Sequence, residues 1–422
     1  MNHSSAFFAA KTLIPQNCDL TKWSVVACDQ YTSEPNYWKE VDEFVKNDPS
    51  TYHMIIPEIY LESPDVDKRI TNVNQTMQQY INDNLFKTVD SLIYVERTER
   101  SGQVRRGIVG CIDLEQYDYQ KGSSSFIRAT EKTVLERIPA RVNVRQNAAL
   151  ELPHVMVLID DDKKAIIEPL SDLKENFSVL YDFSLMQNSG HITGYQIPKD
   201  AEENVLAKLA DLEDPQYFAQ KYQAKDAPAL AYAIGDGNHS LASAKTCYEN
   251  LKKTLPKEKY ENHPARYALV ELVNLHDDSL AFEAIHRVLF NVDAHDFLSE
   301  MKTYYDVSDT PIENAQHFAY VSEDKEGDIY VKNPSSNLPV GTFQNFADDY
   351  LAKHSGKIDY IHGEDITKKL GKEKGNIGFL FPCMKKEELF ATVIADGSLP
   401  RKTFSMGHAE DKRFYLECRT IK

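Results

Sequence analysis

The 422-residue sequence predicts an α+β protein, with mixed or antiparallel sheets built from hairpins and helices packed on them. Two observations carry that reading. Short apolar runs come in pairs around charged or glycine-containing turns, as antiparallel neighbours do. Between the pairs lie stretches with apolar residues at three- and four-residue spacing, as in helices that cover one sheet face. At roughly 100–200 residues per domain, the length suits two or three domains. The expected division is a main α+β domain over residues 1–300 and a C-terminal α+β portion over residues 301–422.

The elements follow in chain order. Asn36 to Lys46 reads as a helix with Tyr37, Val41, Phe44 and Val45 on one face, and Val66 to Leu85 as a longer one. Ser91–Val95 and Gly107–Ile112 flank a polar turn at Gly102 and read as a hairpin. His154–Ile159, the charged turn Asp160–Lys164 and Ala165–Ile167 read as a second hairpin. Ala201–Leu212, Asp214–Tyr222 and Ser240–Leu255 are amphipathic at helical spacing. His317–Val321 and Asp328–Val331 pair about Gly327, and Ile377–Phe381 with Leu389–Ile394 reads as the last pair. Glu136 to Gln146 places Arg137, Arg141 and Arg145 on one helical face, with Pro139 set against a continuous helix.

Composition excludes several functions. Lys plus Arg count 48 and Asp plus Glu 65, a net charge of −17. A surface this acidic does not wrap nucleic acid, which needs clustered cations. No segment approaches the ~20 apolar residues of a membrane span, and Met1 to Pro15 lacks the basic and apolar regions of a signal peptide. The six cysteines are scattered without a C-x-x-C pair, so neither a disulfide framework nor a zinc site is expected. The expected setting is cytoplasmic, with neither a nucleic-acid nor a membrane partner.

One segment carries chemistry. An apolar strand ending at Ile234 runs into Gly235-Asp236-Gly237-Asn238-His239-Ser240, and a helix follows. A strand, a glycine-rich turn and a helix leave backbone N–H groups free at a helix N-terminus, where they bind phosphate or carboxylate. Asn238 and Ser240 can cap the helix or donate to an oxyanion, and His239 can donate to phosphate. Asp236 is an acid beside an anion site, which suits a proton acceptor or a metal ligand. The turn is neither a Walker A loop nor a dinucleotide fingerprint, whose third glycine would fall at Ser240. A plain Asp/Asn-capped loop is the alternative.

The turn resembles the Asp-Gly-His-His-Arg signature of the domain-of-unknown-function family 1015, a prokaryotic family. Other blocks resemble it in the same order: Leu20 to Glu34, with Asp29 and Gln30; Phe126 to Glu131; His286-Arg287; and Leu399 to Phe404. The turn is in addition similar to that of the ParB/sulfiredoxin-like proteins, which bind nucleotide phosphates there and include kinases of free serine. That resemblance implies catalytic roles for Asp236, His239 and Glu131, and phosphate contacts from Gly237, Asn238, Ser240, Arg128, Arg287 and Lys402. It implies substrate contacts from Asp29, Gln30 and His286, and Mg²⁺ held by Asp236 and Asp29. The sulfiredoxin cysteine has no counterpart, and Ser240 stands where the motif arginine would be, so another cation must compensate.

Three readings follow. The chain is a small-molecule phosphotransferase using ATP or ADP with Mg²⁺, such as a kinase of free serine or a similar hydroxyl compound. Or it is a phosphatase, for example on phosphoserine, or a non-catalytic nucleotide-binding regulator. The partner in each case is a small anionic or phosphorylated metabolite.

Overall fold

The structure, a computed structural model, describes residues 5–32 and 34–422. The chain forms two compact units. One contains the chain up to Leu280 together with His408–Lys422, and the other is Ala281–Gly407.

The first unit is built on a ten-stranded mixed sheet among the described residues. Its order is Ser178–Ser184, His191–Gln196, Ile93–Thr98, Val104–Asp113, Tyr267–Asn274, Met156–Ile159, Tyr232–Asp236, Ile127–Ala129 and Tyr117–Asp118, with Phe7–Phe8 added on Val104–Asp113. The strands from Ser178–Ser184 to Tyr267–Asn274 pair antiparallel, and the Ile93–Thr98 hairpin is among them. Both faces are covered. Val95, Val109 and Leu269 pack into one apolar core, and Tyr94, Ile108 and Val270 into the other. Strands buried on both faces read as unbroken apolar runs, which is why they are visible in the sequence.

The second expected hairpin does not form. Met156–Ile159 pairs instead with Tyr232–Asp236 antiparallel and with Tyr267–Asn274 parallel. Residues Ala165–Ile167 leave the sheet because the Asp161 carboxylate accepts the N–H groups of Ala165 and Ile166, at 2.7 and 2.8 Å, and turns the chain away. The sheet gains parallel pairs at Ile127–Ala129 with Tyr232–Ile234 and with Tyr117–Asp118. Pro139 does not break the arginine segment. It sits in the first turn of the helix Ile138–Arg145, where its missing N–H costs nothing.

The last residues of the chain cross one face of this sheet and meet a buried ion network. Arg413 pairs with Glu271 at 2.7 Å and with Glu417, which also takes the Tyr181 hydroxyl proton in a hydrogen bond. Arg105 donates to Glu99 at 3.2 Å and to the Asp411 carbonyl at 2.8 Å. Arg97 donates to the Glu410 carbonyl at 2.8 Å and stacks over Phe414. All these charged side chains are buried. Gly107 makes room for them, since a Cβ there would stand 2.5 Å from Glu271 Oε1.

The second unit has a seven-stranded antiparallel sheet with Phe282–Phe290 and Asn376–Leu380 inside it. Phe297, Phe318, Phe343 and Phe379 form its aromatic core. Residues 389–394, expected as a strand, lie in the helix Glu388–Asp396, which Gly397 closes at φ 79°. A six-residue apolar run fits either element, and the left-handed glycine just beyond it decides for the helix.

Arg413→Met should lower stability by about 3–5 kcal/mol, because Glu271 and Glu417 would be left buried with an uncompensated charge. Chemical denaturation measures it; a loss under about 1 kcal/mol would contradict the network's role.

Candidate functional site

The motif strand Tyr232–Asp236 emerges from the sheet and the motif helix Asn238–Lys252 begins two residues later. Gly237 makes the bend at φ 80°, in the left-handed region, where a side chain is strained. A Cβ there would also stand 3.0 Å from Val155 Cα, so two requirements converge on glycine. The first N–H groups of the motif helix have no carbonyl a turn behind them. The Asn238 side-chain oxygen is buried beside them with no hydrogen-bond partner.

Asp236 stands at the mouth of this turn, its side chain 27% exposed. Its Oδ1 accepts the Gly237 N–H at 2.8 Å, and its Oδ2 lies 3.2 Å from Lys412 Nζ. Burial pushes the Asp236 carboxyl upward. The Lys412 ammonium, His154 and the Gly237 N–H outweigh that and hold it below the ordinary 3.8.

Three distant segments converge here. Phe414–Tyr415 pairs antiparallel with Val25–Val26. That pairing sets the Tyr415 hydroxyl 2.8 Å from His154 Nδ1 and lets it accept the Cys28 N–H at 3.2 Å. Asp29 and Gln30 follow directly, joined by a 3.0 Å bond from Gln30 Nε2 to Asp29 Oδ1. The opening block, His154 and the strand Phe414–Tyr415 thus share one network with the turn. Burial raises the Cys28 thiol to about 12, so it is no nucleophile.

The block at Phe126–Glu131 runs parallel beside the motif strand, with Ala129 level with Ile234. Thr130 Oγ1 donates to the Ile234 carbonyl at 2.6 Å. That pairing stops at Ala129, and Glu131 follows two residues beyond the strand's end. The Val134 N–H donates to His239 Nε2 at 3.2 Å, so that nitrogen acts as an acceptor rather than a phosphate donor.

The expected cations are placed otherwise. Arg128 donates to the carbonyls of Ser125, Pro228 and Ala229, at 2.8, 2.6 and 2.9 Å, and so clamps the entry of the motif strand rather than its exit. Arg141 pairs with Glu58 at 2.8 Å and Arg145 with Glu151 at 2.5 Å. Lys245 donates to the Leu114 carbonyl and pairs with Glu249. Arg287, His286 and Lys402 belong to the second unit. There Arg287 is fully buried, donates to Gln344, to the Ile285 carbonyl and to the Arg401 carbonyl, and lies over Tyr360. His286 Nδ1 accepts the Phe381 N–H at 3.2 Å, and burial lowers its pKa. Lys402 is exposed, at φ 53°.

Lys412, His154 and Tyr415 escaped the sequence reading. No motif surrounds Lys412, and contacts on both sides of it, among them the pairing of Phe414–Tyr415 with Val25–Val26, bring it to Asp236. For a metal at Asp236 and Asp29, the ammonium of Lys412 already occupies a cation position at Oδ2. Among the described residues, Asp296, Glu300 and His354 of the second unit form a three-residue group with metal-ligand spacing. No described helix is long and apolar enough to cross a membrane.

The chain belongs to the family described as "Protein of unknown function (DUF1015)", which matches residues 11–349. No curated protein matches the chain. Among solved structures it is similar to a free serine kinase in complex with AMP, at 11% identity and a TM-score of 0.38, over 72% of this chain and 90% of that one. It is similar to SbnI with C-terminal truncation from Staphylococcus aureus, at 8% identity and a TM-score of 0.36, over 71% and 82%. A conserved hypothetical protein from Pyrococcus furiosus gives 12% identity and a TM-score of 0.35, over 74% and 94%.

A carboxyl held below its ordinary pKa adds stability above that ordinary value and loses it as pH falls through the depressed one. In a carbon-13 NMR titration, Asp236 should therefore titrate below the exposed aspartates, and Lys412→Met should move its midpoint upward. A midpoint above about 4 in the unmodified protein would contradict the assignment.

Proposed function

We propose that this family member is a small-molecule phosphotransferase that binds a phosphate or nucleotide at the 235–240 turn and acts on free serine or a similar hydroxyl compound. The observation that carries this reading is the ionised, partly exposed Asp236 at the N-terminus of the motif helix. The two features are opposite in charge preference, and an acceptor hydroxyl meeting a phosphate needs both.

The backbone N–H groups of Asn238 and Ser240 hold phosphate oxygens at the positive end of the helix. Asp236 accepts the hydroxyl proton as the acceptor oxygen bonds to the terminal phosphorus and the bond from that phosphorus to the nucleotide's bridging oxygen breaks, releasing ADP from ATP or AMP from ADP. Glu131, from the block beside the motif strand, orients the acceptor. Asp29 and Gln30 line the approach from the opening block. Mg²⁺ supplied with ATP or ADP neutralises charge on the transferred group. Asp29 and the Asp236 oxygen that does not face Lys412 would be its protein ligands.

Incubation with ATP or ADP, serine and Mg²⁺ should yield phosphoserine, and Asp236→Asn should slow that yield by about 10²–10⁴-fold. Phosphate released from phosphoserine without nucleotide would show the phosphatase reading instead. Nucleotide binding with no turnover would show a regulator. Full activity in Asp236→Asn would remove the role given to that residue.

A further inference from the structure

An anion at the 235–240 turn must be gathered against a whole-molecule charge of −17 and beside the Asp236 side chain. Backbone N–H groups carry only partial charge, so a full cation is needed. Arg128, Arg141, Arg145 and Lys245 direct their donors to carbonyls and carboxylates elsewhere. Lys412 is different. Its ammonium has three donors, and it stands 3.2 Å from Asp236 Oδ2 with its side chain 17% exposed.

Its position is held from both sides. The carbonyls of Glu410 and Asp411, just before it, accept from Arg97 and Arg105, each at 2.8 Å. Arg413, just after it, is paired with Glu271 and Glu417, and its carbonyl accepts the Ala27 N–H at 3.0 Å. The backbone is fixed while the flexible stem and ammonium face the turn. A cation fixed in this way pays little ordering cost when a ligand arrives. The segment that carries it lies outside residues 11–349, the part matched by the family.

We propose that Lys412 is the phosphate-contacting cation of the turn: it compensates Asp236 and donates directly to a non-bridging oxygen of the bound phosphate. This rests on the phosphotransferase reading above and adds to it a residue supplied by the C-terminal segment.

Calorimetric titration of the full chain with Mg·ADP and with inorganic phosphate tests it. Lys412→Met and Lys412→Gln should each weaken binding about tenfold or more, while Lys412→Arg stays within about threefold of the unmodified protein. Thermal melting identifies the variants that retain the fold, and Lys412→Gln serves if Lys412→Met unfolds. The double variant Lys412→Met/Asp236→Asn separates direct contact from mere neutralisation of the acid. It should remain weak, and recovery of binding would overturn the proposal. Binding in Lys412→Met or Lys412→Gln equal to that of the unmodified protein would overturn it and leave the phosphotransferase reading standing. An equal loss in Lys412→Arg would also overturn it. If the unmodified protein binds neither ligand, the turn is no phosphate site and both readings fall.

Discussion

The pairing of Arg413 with Glu271 and Glu417 is the constraint on which the first unit depends. Glu271 lies in the middle of the sheet with its side chain fully buried, and a lone carboxylate there would be costly. Arg105 lies 3.9 Å from it, and its close partner, Arg413, comes from the far end of the chain. The last residues must therefore seat on the sheet before Glu271 gains its close ion pair. Arg97 and Arg105 reinforce this by gripping the carbonyls of Glu410 and Asp411. Gly107 belongs to the same constraint, because any side chain there would displace the Glu271 carboxylate.

Seating that segment assembles the candidate site. Once Arg413 is fixed, Lys412 faces Asp236 and Tyr415 reaches His154 and Cys28. Val25–Val26 gains its strand partner in the same step, and Asp29 and Gln30 are positioned just beyond it. Stability and site geometry are thus coupled through a few adjacent residues. The coupling places a positive group beside the acid in a chain whose net charge is −17.

Much of the fold is legible in local pattern. The helices at Pro35–Val45, Lys199–Leu212 and Pro215–Tyr222 lie within a few residues of where periodicity places them, and the hairpins at Gly102 and Gly327 form. The failures share a cause. Ala165–Ile167 and residues 389–394 are short apolar runs, which suit several elements. Side-chain capping by Asp161 in one case and the glycine at 397 in the other decides between them. The arginines misled for a related reason. Arg128 has the charge to hold a phosphate, yet three carbonyls at the strand's entry take its donors.

By itself the sequence determined the α+β class and the turn at 235–240, because strand periodicity, two glycines and an acid are local features. Family membership rests on the match over residues 11–349, which is likewise a property of sequence. Tertiary structure decided which cation faces the acid. Charge is visible in a sequence, but whether a charged group is spent depends on which carbonyls and carboxylates surround it. For Lys412 those neighbours come from segments hundreds of residues apart in part, and only the folded sheet brings them within hydrogen-bonding distance.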